Sequence, residues 1–438
     1  MPEKAIAVGL ILPTVSRNVV DEHLDEVEKL IETAGGKVAE RVLAKRVSPD
    51  SATWIGKGKA EHVKALVERH KAVLVVFDDD LSPAQTRNLE RIIPAKVIDR
   101  SGLILDIFAR RARSREARTQ VELAQLEYML PRLTRQWTHL SRQAGGIGTR
   151  GVGETQLEID RRIVRNRIRR LKDELGRIEK SRETQRKSRA ATFTAALVGY
   201  TNAGKSTLFN QLTGGAAVAV DKLFATLDAK SQRAAFPMPR PTVIIDTVGF
   251  IRKLPHHLVA SFRSTMEEAV SADLVLHVID ISHPQYEEQR AIGEEVLRDL
   301  GVLNDRVIDV YNKVDRTEAL PSPGASRHPL PAMRGEGSRV GRGEGRKSMI
   351  KISALNGRGI DGLVETIRDR ELRGGEMMEL EIPHAQSRLL ARLHEVAEIH
   401  GQRTTDNGQR ISAWVPQSSI HEFENFSATD LLKRVKVS

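Results

Sequence analysis

The sequence contains no cysteine. That excludes a disulfide framework, a cysteine-ligated zinc or iron–sulfur site, and a thiol nucleophile. No apolar run approaches the ~18–20 residues needed to cross a bilayer, and the N-terminal run extends only from Ala5 to Leu12. Wholesale disorder is excluded as well, because 40% of the 438 residues are hydrophobic and 29% charged. At ~100–200 residues per domain, two to four domains are expected. The excess of 69 Lys and Arg over 58 Asp and Glu gives +11. A basic chain fits a polyanionic partner, either nucleic acid or an acidic membrane surface. The expected location is cytoplasmic, with peripheral membrane association as the alternative.

The positive charge is concentrated. Residues 101–190 carry 22 basic against 11 acidic side chains, a net of +11 that leaves the other 348 residues summing to zero. Arg110, Arg111, Arg113, Arg115 and Arg118 form one cluster, and Arg161, Arg162, Arg165, Arg167, Arg169 and Arg170 a second. Charge focused on one segment favours a phosphate-bearing partner over a merely solvated helix face.

The expected architecture is α/β and multidomain. Residues 1–100 alternate strand and helix patterns and predict a small parallel α/β domain. Residues 101–190 predict a long, basic antiparallel helical hairpin. Its first arm carries Leu123, Leu126, Leu130, Leu133, Trp137 and Leu140, spaced as in a coiled coil, with Pro131 expected to kink or interrupt it. Its second arm carries Leu157, Val164, Ile168, Leu171, Leu175 and Ile178, and a glycine-rich tip joins the two. Residues 191–372 alternate again and predict a mostly parallel sheet with flanking helices. Within them, 317–347 has four Pro and six Gly in 31 residues and is expected to be a disordered insertion. Residues 373–438 predict a small α+β module, with a helix over 385–400 and a hairpin at Asp406-Asn407-Gly408.

The chemistry lies in the third segment. Gly199-Tyr200-Thr201-Asn202-Ala203-Gly204-Lys205-Ser206-Thr207 follows an apolar strand and opens a helix. This is the context in which a glycine-rich loop cradles phosphates, with Lys205 on the β/γ oxygens and Ser206 on Mg²⁺. Asp246-Thr-Val-Gly249 ends another strand. Asp246 can hold the Mg²⁺ through a water, and the Gly249 N–H can reach the γ-phosphate. Asn312-Lys313-Val-Asp315 ends a third strand. A carboxylate at Asp315 matches guanine N1–H and N2–H and has no match on adenine. Ser353-Ala354-Leu355 can present a backbone N–H to guanine O6. Thr226 is the expected mobile threonine that completes the Mg²⁺ shell. Each motif alone is weak; four in this order at strand ends predict GTP and Mg²⁺ as ligands. Lys205, Thr226 and Gly249 are the expected catalytic groups.

Two departures matter. Regulatory GTPases carry Gln after the second motif to orient the attacking water, whereas Phe250 stands here. Intrinsic hydrolysis is expected to be slow and to need a partner. Asn202 resembles the loop residue of GTPases that use K⁺ as a second cation, although ordinary loop hydrogen bonding explains it equally well.

The run GGIGTRGVGETQLEIDRRIVRNRIRRLKDEL (residues 145–175), placed just before the nucleotide motifs, resembles the signature of the HflX family of ribosome-associated GTPases. GKGKAEHV (56–63), FDDDLSPAQTRNLE (77–90) and RSGLILDIFARRARSREARTQVELAQLEYMLPRL (100–133) extend the match. The resemblance implies a protein that binds the large (50S) ribosomal subunit and its rRNA, dissociates stalled or stressed 70S ribosomes, and hydrolyses GTP faster on the ribosome; a monomer is the default expectation. It places Gly145, Gly146, Gly148, Arg150, Gly151 and Gly153 at the tip that reaches toward ribosomal RNA, with Arg161 and Arg162 beside it. Small residues allow close backbone approach there, and arginines neutralise phosphate. Two alternatives are a large-subunit assembly GTPase and an ATP-linked RNA remodeller. For the latter, Gly56-Lys57-Gly58-Lys59 before a helix is the one candidate anion-binding feature.

Overall fold

The computed structural model describes residues 2–133, 156–187, 192–215, 223–224, 226–238, 241–253, 266, 268–317, 349–372, 374–405, 407–417 and 419–427. The expected tip at 145–153, with Arg150, lies outside these residues, as does the 317–347 insertion beyond Thr317. The chain divides into two compact units. Unit 1 comprises Met1–Arg182, Val220–Asp228 and Ile251–Thr265; unit 2 comprises Glu183–Ala219, Ala229–Phe250 and Met266–Ser438.

Unit 1 begins with a four-stranded parallel sheet in the order β2-β1-β3-β4, built from β1 (Glu3–Ile11), β2 (Gly36–Lys45), β3 (Leu74–Phe77) and β4 (Lys96–Asp99). The intervening helices are α1 (Arg17–Thr33), α2 (Lys57–His70) and α3 (Pro83–Ile92). Their starts are written in the sequence. Ser16 Oγ accepts from Val19 N, and Ser82 forms a capping box with Gln85 just before Pro83. These caps satisfy first-turn N–H groups that have no helical partner. Ile6, Val8, Val63, Val75, Phe77 and Leu89 pack between sheet and helices with almost no exposure.

Asp99 ends β4 and caps α4 (Arg100–Arg111) through Gly102 N. Ser114 then caps α5 (Arg115–Met129). The helix stops at Met129 and continues as one 3-10 turn over Leu130–Arg132. Pro131 has no N–H for the helical ladder, so the apolar stripe of the first arm passes from helix to turn at that point. The second arm is α6 (Gln156–Lys187). Arg115 pairs with Glu174, Arg167 with Glu122, and Arg161 with the Leu133 carbonyl, so α5 and α6 run antiparallel. Leu171 is fully buried on α6, whereas Arg162, Arg165, Arg169, Arg170 and Arg177 face solvent.

A buried charge network lies at the carboxyl end of β3. The Arg100 guanidinium, 1% exposed, donates to Asp78 Oδ1 at 2.7 Å and also pairs with Glu26. Lys253 Nζ reaches Asp78 at 2.5 Å and Asp79 at 2.6 Å, and Arg100 Nε donates to the Arg252 carbonyl at 3.2 Å. Burial opposes ionisation of Asp78, but His23, Arg100 and Lys253 together hold its carboxyl well below the ordinary carboxylate value. The 220–228 segment is anchored too. Asp228 accepts from Arg113 N at 2.9 Å and Ser114 Oγ at 2.5 Å, and the Phe224 ring meets Phe108 edge-on at 4.7 Å.

Unit 2 contains a six-stranded sheet in the order β10-β9-β8-β5-β7-β6. Its strands are β5 (Phe193–Gly199), β6 (Lys230–Arg233), β7 (Thr242–Asp246), β8 (Leu274–Asp280), β9 (Val307–Asn312) and β10 (Met349–Lys351). All pairs are parallel except β6 with β7 at one edge. Helices α7 (Lys205–Thr213), α8 (Tyr286–Asp299) and α9 (Ile360–Leu372) flank it. Successive strands switch from one side of β5 to the other, and ligands of such sheets bind at that switch, beyond the carboxyl ends of the strands.

The C-terminal part is a three-stranded antiparallel sheet, β11-β13-β12, formed by β11 (Gly375–Pro383), β12 (Glu398–Thr405) and β13 (Gly408–Pro416). The expected 385–400 helix is shorter, α10 (Ser387–Val396), because its last residues enter β12. The predicted hairpin joins β12 to β13, with Thr405 opposite Gly408.

Arg100→Met should cost about 3–5 kcal/mol of stability in denaturant unfolding, because it removes the buried cation shared by two carboxylates. Lys253→Met, at a side chain 37% exposed, should cost about 1 kcal/mol or less. Equal costs would contradict the buried network.

Candidate nucleotide site

The sheet of unit 2 brings four of the sequence motifs to its carboxyl end. Gly199–Gly204 links β5 to α7. Lys205 turns back into this loop, 7% exposed, and Nζ donates to the carbonyls of Gly199 at 3.0 Å and Tyr200 at 2.9 Å. The loop leads into the first turn of α7, and the N-terminus of a helix is where an anion is favoured. Burial, reinforced by Lys313, pushes the Lys205 ammonium down to about 8, although Asp246 pulls it up.

Ser206 Oγ donates to Asp246 Oδ2 at 2.8 Å, and Asp246 is fully buried at the end of β7. A hydroxyl and a carboxylate at this spacing suit a hard cation that takes its other ligands from water and phosphate. No cluster of three or more His, Cys, Asp or Glu with metal-ligand geometry occurs among the described residues.

The third and fourth motifs are joined by one amide. Asn312, 2% exposed at the end of β9, donates from Nδ2 to the Ala203 carbonyl at 2.9 Å. Its Oδ1 accepts from Ala354 N at 2.9 Å. Gly204 has φ 93°, and a Cβ there would lie 2.2 Å from Asn312 Nδ2, so both backbone and neighbour require glycine. Lys313 Nζ donates to the Asn202 carbonyl at 2.8 Å and to Asp280 Oδ2 at 2.6 Å. Asp315 Oδ1 is buried and makes no hydrogen bond among the described residues. That orphaned acceptor fits a ligand bringing its own N–H donors, as guanine does.

Some expectations change. The Ala354 N–H, a candidate donor to guanine O6, is given to Asn312, and the Ser353 N–H goes to the Arg358 carbonyl at 2.9 Å. Leu355 is 73% exposed. Phe250 is buried, its N–H donates to Gly199 O at 2.9 Å, and its carbonyl accepts from Thr201 N at 2.7 Å. It is a packing residue that couples the second motif to the first. Thr226 is buried and belongs to unit 1. Arg161 is half-buried on α6 and Arg162 exposed. In unit 1, Gly56 precedes the first turn of α2 with no side-chain cap, and Arg46, Lys57 and Lys59 line a cavity of about 310 Å³ there.

Sequence reasoning missed Asp280 and the network of Asp78, Arg100 and Lys253. Asp280 carries no motif; only its place at a strand end beside the lysine of the third motif could have marked it. The acidic triplet 78–80 was visible, but its partners are far along the chain.

Three family models match the chain: a GTP-binding GTPase N-terminal region over 21–109, a GTP-binding GTPase middle region over 111–189, and a 50S ribosome-binding GTPase over 194–313. Among curated relatives, GTPase HflX of Caldanaerobacter subterraneus subsp. tengcongensis is 42% identical, covering 97% of this chain and 94% of its own. GTPase HflX of Escherichia coli K12 is 43% identical over 88% of each. Among solved structures, a GTP-binding protein from Sulfolobus solfataricus in complex with GDP is 25% identical, with TM-score 0.42, over 85% of this chain and 99% of that one.

Nucleotide affinity should depend on pH through Lys205. A bound polyphosphate restores the ammonium, so above pH about 8 binding takes up a proton and the GDP dissociation constant rises toward ~tenfold per unit. The free protein shows the converse: its unfolded state holds more protons than the folded state from about 8 upward, so this group makes it more stable as pH rises through that window. Calorimetry at pH 7, 8 and 9 checks both; a flat GDP affinity would contradict them.

Proposed function

The chain belongs to the HflX family of GTPases and is a GTP hydrolase; from that premise we propose that it binds the large ribosomal subunit in its GTP form and separates stalled or stressed 70S ribosomes. The observation that carries this reading is the charge distribution. The net +11 of 101–190 equals the net charge of the whole chain. On α6 the apolar stripe turns inward, while Arg162, Arg165, Arg169, Arg170 and Arg177 stay in solvent. A helix displaying exposed guanidinium groups suits the phosphates of structured RNA. The description of the 194–313 match as a 50S ribosome-binding GTPase supports the same partner.

In this reading the loop N–H groups and Lys205 hold the β- and γ-phosphates, and Asp315 selects guanine. Ser206, Asp246 and Thr226 are the residues that would hold Mg²⁺, and the cation would supply neutralisation of phosphate charge. Gly249 presents its N–H to the γ-phosphate. Phe250 contributes no polar group to the attacking water, so the ribosome supplies what intrinsic hydrolysis lacks. Loss of the γ-phosphate releases Thr226 and Gly249.

Sedimentation tests the proposal. Purified 70S ribosomes incubated with the protein and a non-hydrolysable GTP analogue should split into subunits, and GDP should not support this. A variant lacking residues 145–153 should keep basal GTP hydrolysis and lose splitting. Intact 70S particles together with tight binding to immature large subunits would point instead to assembly. Asp315→Asn should shift preference from guanine toward xanthine nucleotides by roughly 100-fold or more; unchanged selectivity in competition binding would remove the guanine assignment.

A further inference from the structure

Thr201 occupies the third position of the phosphate-binding loop and is 6% exposed. Its hydroxyl Oγ1 is buried and forms no hydrogen bond among the described residues. A buried hydroxyl without a partner costs free energy that Ala or Val at the same place would not, and such groups in native proteins call for an explanation. The rest of the residue is firmly placed. Its N–H donates to the Phe250 carbonyl at 2.7 Å, and Phe250 N returns a bond to Gly199 O at 2.9 Å. Its side-chain methyl and Cα border Gly249 so closely that a Cβ added to Gly249 would lie 2.9 Å from each, and 2.9 Å from Lys205 Nζ. Thr201, Gly249 and Lys205 Nζ thus converge at one point, where the first and second motifs meet. In the nucleotide-site reading above, Gly249 serves the γ-phosphate, so this point belongs to the γ-phosphate side of the loop, beside a Phe250 that offers only hydrocarbon.

We propose that Thr201 is a catalytic residue of GTP hydrolysis, its Oγ–H donating a hydrogen bond to a γ-phosphoryl oxygen. The inference rests on the nucleotide-site reading given above. In the reaction the water oxygen forms a bond to Pγ as the bond from Pγ to the β–γ bridging oxygen breaks. The electron pair remains on GDP, and the protons of the water leave with inorganic phosphate. Thr201 exchanges no proton. Its hydroxyl steadies charge on the γ-phosphoryl group and fixes its orientation against Gly249. GDP lacks that group, so the hydroxyl separates GTP from GDP and contributes nothing to shared binding.

The test uses the full chain with Thr201→Val, which keeps the shape and deletes the hydroxyl, and Thr201→Ser, which keeps the hydroxyl. Binding of GDP and of a non-hydrolysable GTP analogue is measured alongside single-turnover GTP hydrolysis. Thr201→Val should bind GDP within about twofold of the parent and lose roughly 10–100-fold in hydrolysis rate, the range for one charge-assisted hydrogen bond. Its preference for the GTP analogue over GDP should fall in parallel, and Thr201→Ser should restore both. Parental hydrolysis in Thr201→Val would overturn the proposal. So would an equal loss of GDP and analogue binding, which marks a purely structural hydroxyl. Failure of the parent protein itself to bind GDP would instead remove the phosphate-loop assignment beneath it.

Discussion

A single buried amide, Asn312, ties the nucleotide site together. Its two ends satisfy the Ala203 carbonyl in the phosphate loop and the Ala354 N–H in the loop after β10. A side-chain amide can donate to one loop and accept from another with fixed geometry. The approach is close enough to forbid any side chain at Gly204. Lys313 adds a second tie, from Asp280 to Asn202. The phosphate end and the base end of the site are therefore fixed to each other before a ligand arrives. Selectivity can then rest on one buried carboxylate oxygen at Asp315, which has no partner within the described chain.

The fold was legible where local chemistry decides it. The strands flanking each nucleotide motif are short apolar runs, and the sheet order then places their ends together by the ordinary rules of parallel topology. Ser16, Ser82, Asp99 and Ser114 announce helix starts. Pro131 announces the end of α5, which stops at Met129 and passes into a 3-10 turn over Leu130–Arg132. The shorter α10 has a similar cause. An amphipathic helix pattern ran into Glu398 and Ile399, which pair with Trp414 and Ala413 of β13 as a strand, with His400 at a bulge; pairing overrode the local pattern.

The site was legible as far as its motifs, and less so in what surrounds them. Asp78 meets Arg100 across 22 residues and Lys253 across 175. No periodicity links such positions; only the packing of the β3 end against the segment after Phe250 does. The same holds for Asp228 on Ser114, 114 residues apart. These contacts matter because both segments adjoin nucleotide motifs. Phe224 and Lys253 sit at φ 54° and 51°, a left-handed backbone that side chains rarely adopt and that surrounding contacts must hold in place. The Ala354 N–H shows a subtler limit. The motif places a backbone donor near the base, but which acceptor it already serves depends on Asn312, forty-two residues earlier.

The central claim is that a guanine-nucleotide site of this construction, short of a water-orienting side chain at Phe250, works when the basic hairpin is on a ribosome. The most direct measurement is GTP hydrolysis by the purified protein alone and with isolated large subunits, small subunits or 70S particles, at two salt concentrations. The account predicts slow hydrolysis alone, strong stimulation by large subunits and 70S but not by small subunits, and a stimulation that fades as salt screens the arginine–phosphate contacts. Hydrolysis unchanged by every particle at both salt concentrations would contradict it.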